Sequence, residues 1–248
     1  MNKMNKMKKN FVLRKIVALA FCFAFAIFQS AWAEENLPAA ENGTEETAAI
    51  RVLVTPGSEW KGKFPPQFAV WVQDSEGNFV HTLFVTKRAS KKNWIFAPKS
   101  GRPESLPVWY NASGNEKAFS GGEKLSADSE NGLDAVTSAT PKGSFDIVKK
   151  LRLDETKKYF VFAEVNKSFD YNEFYPKNAE KNSPEYSGVN GQPSAVYCAE
   201  LSAENPEAKM NLVGTGSLAG KNGSVENKTE TLTTAKNLVE KIVVLAGF

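Results

Sequence analysis

The stretch FAVWVQDSEGNFVHTLFV, residues 68–85, decides the fold. Two runs rich in aromatic and β-branched residues, 68–72 and 79–85, enclose the polar segment Asp74-Ser75-Glu76-Gly77. A four-residue connection that contains Gly between two such runs is typical of a β-hairpin. The sequence therefore predicts antiparallel strands over 67–73 and 78–86, joined by a tight turn.

Similar short runs recur along the rest of the chain, with turn residues between them and no sustained helical period. They lie at 50–55, 144–153, 158–166, 194–201, 209–214 and 240–246. We expect 144–153 and 158–166 to form a second strand pair around the turn 154–157, and short helical turns near 106–110 and 233–239. This pattern predicts an all-β protein, an antiparallel β-sandwich of immunoglobulin-like or fibronectin-like order with long loops, with a closed barrel as the alternative.

The first 33 residues have the features of a secretory signal peptide. A basic start precedes an apolar run over 16–28, and Ala31-Trp32-Ala33 supplies a small-x-small cleavage site. We therefore predict cleavage after Ala33 and export to the periplasm. The apolar run is short for a membrane span, so no stable span is expected after cleavage. Residues 34–48 are acidic and predict a disordered tether, which leaves 49–248 as a single β-sandwich domain.

Charge and residue counts exclude several classes of function. Removal of six basic leader residues from 31 leaves 25 basic against 28 acidic residues, which gives no reason to expect nucleic-acid binding. One histidine, His81, and one cysteine after cleavage, Cys198, exclude a c-type haem motif and thiolate cages. No Gly-x-Ser-x-Gly elbow is present. We therefore expect a non-enzymatic protein.

Three segments together resemble a known family. These are FAVWVQDSEGNFVHTLFV, then LDAVTSATPKGSFDI at 133–147, and YFVFAEVNKSFDYNEFY at 159–175. They are similar to predicted bacterial periplasmic proteins called domain of unknown function 2271. The resemblance covers about 50–175 and implies a periplasmic β-sandwich, with no established activity. The chain departs from the family at Ser138, where glycine is usual, and in its longer carboxy-terminal part.

The block at 134–140 also resembles the acceptor site of the extracytoplasmic flavin transferase, which moves FMN from FAD onto a protein threonine. The residues that fit this pattern are Asp134, Thr137, Ser138, Ala139 and Thr140. The resemblance implies covalent FMN on Thr140, with the transferase or a membrane redox protein as partner. Small neighbours suit an acceptor hydroxyl that must enter another enzyme. Alternatively, Thr140-Pro141-Lys142-Gly143 is a type I turn that leads into a hairpin.

A second polar cluster lies in 164–173, where oxygen-bearing side chains are dense. Glu164, Asn166 and Ser168 share one strand face by their spacing. The cluster suits Ca²⁺ or a polar ligand groove, but it also suits a turn at Asp170-Tyr171-Asn172 held by side-chain hydrogen bonds. We assign no metal. The prediction for function is an exported binding or accessory module linked to redox systems, with a covalent FMN carrier as the alternative.

Overall fold

The computed structural model describes residues 49–90, 102–114, 136–138, 140–220 and 222–248. The predicted signal peptide and tether lie outside these residues, as do Asp134 and Ala139 of the acceptor motif. The described chain is an all-β sandwich of two sheets with short helical segments. Among the described residues, none of the helices has the length and apolar composition of a membrane span.

Within the described ranges, ten strands form the two sheets. They are β1 (Ala49–Pro56), β2 (Gln67–Asp74), β3 (Phe79–Thr86), β4 (Val136–Ser138), β5 (Phe145–Lys150), β6 (Tyr159–Asn166), β7 (Ala195–Leu201), β8 (Glu207–Lys209), β9 (Asn211–Thr215) and β10 (Val239–Ala246). The four-stranded sheet has the order β5-β1-β10-β8, and the six-stranded sheet has the order β4-β3-β2-β6-β7-β9. All neighbours are antiparallel except β3 and β4, which are parallel.

The β2–β3 hairpin is confirmed. The amide of Gly77 donates to the carbonyl of Asp74 at 3.0 Å. The side chain of Asp74 accepts hydrogen bonds from the amides of Glu76 and Asn78. These bonds lower the pKa of Asp74, against a burial effect that raises it. Local turn chemistry therefore holds the hairpin that the sequence predicted.

The six-stranded sheet is buried on both faces, whereas a simple sandwich exposes one face of each sheet. Alternate side chains such as Val70 and Ala163 enter the core between the sheets. The opposite face carries Trp71 and Phe162, whose rings stack at 5.3 Å. A short helix α1 (Lys87–Ser90) follows β3, and a second helix, α2 (Pro107–Ala112), covers this face. A second core forms there, and it includes Val108, Trp109 and Tyr110 of α2 and Leu106 just before it.

One of the predicted pairings is wrong. The strands over 145–150 and 159–166 do not pair, because β5 joins β1 in the four-stranded sheet and β6 lies between β2 and β7 in the other. The predicted run 209–214 is matched by β9 from Asn211 onward, and only its first residue, Lys209, belongs to β8 in the other sheet. In both places the chain passes from one sheet to the other. The turn at Asp154–Lys157, the helical turn at 107–110 and the 3-10 turn at Ala235–Asn237 are confirmed.

Candidate functional site

The Thr140 corner, residues 140–144, connects the edges of the two sheets. It follows β4, the edge strand of the six-stranded sheet, and precedes β5, the edge strand of the four-stranded sheet. The chain bends at Lys142 and Gly143. The corner is therefore a crossing between sheets, and the predicted entry into a hairpin is wrong.

Two hydrogen bonds hold the start of the corner. The Thr140 hydroxyl donates to the Pro66 carbonyl at 2.7 Å. The buried indole of Trp60 donates through Nε1 to the Pro141 carbonyl, also at 2.7 Å. Thr140 and Pro141 are half-buried, and Lys142–Ser144 are exposed. The corner thus has a fixed base and an exposed tip.

The other residues of the acceptor motif lie just before the corner. Thr137 and Ser138 are in β4, opposite Val85 and Thr86 of β3. Asp134 and Ala139 lie outside the described residues. Of the motif, Thr137 and Ser138 therefore lie on a sheet edge, and Thr140 lies at the start of the corner.

A second loop, residues 57–66 between β1 and β2, lies against the corner through Trp60 and Pro66. Its other side contacts the segment after β6, where Lys167 Nζ donates to the carbonyls of Glu59 at 2.6 Å and Lys61 at 3.3 Å. Gly62 has a φ of 142°, which favours glycine. This β1–β2 loop therefore joins the Thr140 corner to residues 167–170.

Two phenylalanines meet where the β1–β2 loop reaches that segment. The rings of Phe64 and Phe169 lie 4.6 Å apart and are tilted by 47°. Phe169 has a φ of 65°, which is uncommon for a residue with a side chain. Its side chain is nevertheless 45% exposed. We call Phe64 and Phe169 the aromatic pair.

Glu164 is a fully buried carboxylate on β6 that lies beside the second core. Oε1 accepts from Ser194 Oγ at 2.6 Å and from the Val108 amide at 3.2 Å, and Oε2 accepts from the Trp109 amide at 2.8 Å. Burial raises the pKa of Glu164 to about 7, although these three donors act to lower it. A Cβ on Gly216 would stand 2.9 Å from Oε1, so only glycine fits beside the carboxylate.

Further polar side chains extend this arrangement around the end of β6. Arg102 donates to Ser168 and Asn190, and Asn166 Nδ2 donates to the Gln192 carbonyl at 2.9 Å. Gln192 Nε2 donates to Thr234 at 2.6 Å. The members of this buried polar network are Arg102, Glu164, Asn166, Ser168, Asn190, Gln192 and Ser194.

Asp170 and Asn172 follow the network in the chain. Asp170 Oδ1 accepts from the Thr234 hydroxyl at 2.6 Å, and burial raises the pKa of Asp170 despite that bond. Asn172 Oδ1 accepts from the amides of Phe174 and Tyr175, so a bend held by side-chain hydrogen bonds lies at 172–175. The turn predicted at Asp170-Tyr171-Asn172 is therefore displaced, because Asp170 forms an isolated β-bridge with Gly191. Within the described ranges, no three His, Cys, Asp or Glu side chains are grouped to hold a metal ion.

The aromatic pair and the β1–β2 loop were not predicted from the sequence. The loop sequence Trp60-Lys61-Gly62-Lys63-Phe64 mixes aromatic and basic residues, and that composition was the available signal. Trp60, Trp71 and Trp109 are buried and pack in the two cores. Trp94 lies outside the described residues.

No family model, no curated protein and no solved structure matches this chain.

Proposed function

We propose that this protein is an exported, non-enzymatic binding or accessory module that presents the Thr140 corner to a partner linked to redox systems. The observation that supports this proposal is the combination of a fixed base and an exposed tip at the corner. A loop held by a rigid scaffold is the usual place for recognition. Export rests on the leader-like residues 1–33.

The environment of Glu164 favours a non-enzymatic role. A carboxyl group with a raised pKa is often a sign of a catalytic site. Here, however, both carboxylate oxygens accept bonds that hold the start of helix α2 and Ser194, and the side chain is fully buried. The shift in its pKa is therefore explained by scaffold packing.

Site-specific photo-crosslinking in cells tests the module function. A photoreactive amino acid at Gly143, in the exposed tip, should give one discrete adduct with an envelope protein. The same amino acid at Glu155, on the exposed turn after β5, is the control. Adducts of equal yield from both positions, or none from position 143, would contradict the proposal.

The second candidate is a covalent FMN carrier, favoured by the position of Thr140 at the half-buried base of an exposed corner. In the transfer, Thr140 Oγ1 attacks the FMN phosphorus of FAD and the phosphoanhydride bond to AMP breaks. AMP leaves, and the hydroxyl proton passes to a base of the transferase. Thr140 gives up its hydrogen bond to Pro66, which costs about 1 kcal/mol.

Intact mass spectrometry tests the carrier. The full chain is produced in a host that exports it together with the flavin transferase. One added FMN is expected in the wild type and in Ser138→Ala, and none in Thr140→Ala. An unmodified wild-type chain would remove the carrier function, and an FMN that persists in Thr140→Ala would move it to another residue.

A further inference from the structure

The backbone around Phe169 is held on every side, while its ring projects to solvent. The Phe169 amide donates to the Val189 carbonyl at 2.9 Å, and Ser168 before it is bonded by Arg102. After it, the Asp170 carbonyl accepts from the Gln192 amide at 2.8 Å. A positive φ at a residue with a side chain persists only where the surroundings impose it, and such residues concentrate at functional sites.

Phe64 supports the ring of Phe169 from the β1–β2 loop. Phe64 is half-buried, and the centre of its ring lies 4.6 Å from the centre of the Phe169 ring. The exposed area of the pair therefore belongs mainly to Phe169. Aromatic rings at this separation pack favourably in a tilted arrangement. The pair therefore offers a preformed aromatic surface of fixed orientation.

The aromatic pair lies within reach of a group attached to Thr140. The Thr140 hydroxyl contacts the carbonyl of Pro66, and Phe64 is two residues away, a span of at most about 7 Å. The single bonds between the FMN phosphorus and its ring system extend on the order of 9 Å, at about 1.5 Å per bond. A flavin on Thr140 can thus bring its ring system to the pair.

Positive charge lies beside the same surface. Lys61 and Lys63 are exposed on the β1–β2 loop, and Lys63 Nζ lies 5.5 Å from the centre of the Phe64 ring. The carboxylate of Glu59 is nearby but lies 3.7 Å from Lys167 Nζ. Positive charge favours the phosphodiester that joins FMN to threonine, and it also favours the negative charge that a flavin ring gains on reduction.

We propose that Phe169, supported by Phe64, is the docking surface for the isoalloxazine ring of FMN carried on Thr140, and that Lys61 and Lys63 supply its complementary charge. This inference rests on the carrier function proposed above. A docked ring turns with the protein, whereas a tethered ring without a docking surface rotates on the faster timescale of exposed groups.

Fluorescence anisotropy of the flavin tests the docking surface, after intact mass has established one FMN per chain. Phe169→Asn removes the ring and suits a positive φ, since asparagine tolerates this conformation. We expect it to lower the flavin anisotropy by roughly a factor of two. Phe174→Asn is the matched control, because Phe174 is 43% exposed and belongs to the Asn172 turn. It should leave the anisotropy unchanged.

The outcomes separate the two proposals. If no FMN is present, the carrier function fails and the docking surface fails with it. If FMN is present but Phe169→Asn retains the wild-type anisotropy, or Phe174→Asn lowers it equally, only the docking surface is overturned. A selective fall supports it. Lys61→Gln combined with Lys63→Gln should further shift the flavin midpoint potential to a more negative value, and an unchanged potential would remove the role of these lysines.

Discussion

The buried polar network and the Thr140 corner use the same kinds of hydrogen bond in opposite surroundings. In the network, a hydroxyl and two amides surround Glu164 in a core that excludes solvent. At the corner, Thr140 and Trp60 bond to backbone carbonyls at the edge of the sandwich. A hydrogen bond contributes more when its loss leaves a buried group without a partner. The network should therefore carry stability, while the corner can change at little cost.

The largest difference in the free energy of unfolding is expected between alanine substitutions of Gly191, which lies between Asn190 and Gln192 of the network, and of Gly143 in the corner. In Gly191→Ala, the new Cβ would stand 2.4 Å from the Asp170 carbonyl oxygen, at a φ of 70°. Backbone is displaced at both ends of this contact, so we expect a loss of about 3 kcal/mol or more in the free energy of unfolding, measured by urea denaturation.

Gly143→Ala is the matched substitution at the corner. Apart from Gly143 itself and its two chain neighbours, no heavy atom of the described residues lies within 4 Å of the added Cβ. The change should alter the free energy of unfolding by less than about 0.5 kcal/mol. Similar losses in the two variants would show that the corner is as tightly packed as the network.

The pH dependence of stability should come in large part from Glu164. The pKa of this group is raised from 4.5 to about 7, so the folded state favours the protonated form. The resulting stabilisation is fully present below about pH 4.5 and is lost as the pH rises through about 7, a change of up to about 3 kcal/mol. Urea denaturation at pH 5 and pH 8 should show greater stability at pH 5.

Glu164→Gln identifies the source of that dependence. The glutamine side chain has one oxygen, whereas the donors around Glu164 bond to two. The variant should therefore be less stable than the wild type at pH 5 by about 1–2 kcal/mol. The fall between pH 5 and pH 8 should shrink. Asp170, whose pKa is also raised by burial, contributes with the same sign in both proteins. An unchanged fall in Glu164→Gln would assign the effect to Asp170 or another group.

The contacts that these experiments test differ in how far they could be predicted from the sequence. The β2–β3 hairpin was predictable because its alternation, turn residues and side-chain bonds all lie within residues 67–86. The placement of β5 and β6 in different sheets was not predictable, because the connection of eight residues between them, 151–158, is long enough either for a turn within one sheet or for a crossing between two sheets. Residues 209–214 posed the same problem, since Met210 separates β8 from β9.

The candidate site shows the same limit. Thr140 was found from a local motif, and its neighbours were not, because Trp60 contacts Pro141 across 81 positions of the chain. The aromatic pair joins two loops whose sequences carry no alternation. Glu164 was noted as an oxygen ligand, but its real partners are amides of a helix that covers the outer face of the sheet. Local patterns do not reveal such tertiary contacts.

Substitutions of two tryptophans, Trp60 at the corner and Trp109 in the second core, should have effects of intermediate size on the free energy of unfolding. Trp60→Phe removes the donor to Pro141, and Trp109→Phe removes a buried bond of 3.0 Å to the Thr82 hydroxyl. Each should lower the free energy of unfolding by about 1–2 kcal/mol. Only Trp60→Phe should loosen the corner, which native-state trypsin digestion would detect as faster cleavage after Lys142. Equal acceleration in both variants would mean that cleavage follows global stability.

The smallest effect is expected at Thr140 itself. Thr140→Val keeps the shape of the side chain and removes one donor, and the half-buried site allows water to reach the Pro66 carbonyl. The loss should be about 0.5–1 kcal/mol. Thr86→Val makes the same change in a fully buried position, where the hydroxyl accepts from the Phe68 amide and donates to Gln67.

Two buried groups lose their partner in Thr86→Val, and the loss should reach about 2–3 kcal/mol in the same urea titration. If Thr140→Val cost as much as Thr86→Val, the hydroxyl would be a structural group that the fold cannot release. A threonine that must leave its hydrogen bond to enter another enzyme should show the smaller loss in the free energy of unfolding. The ratio of these two losses therefore measures, without any flavin present, whether the corner is energetically able to serve as an acceptor.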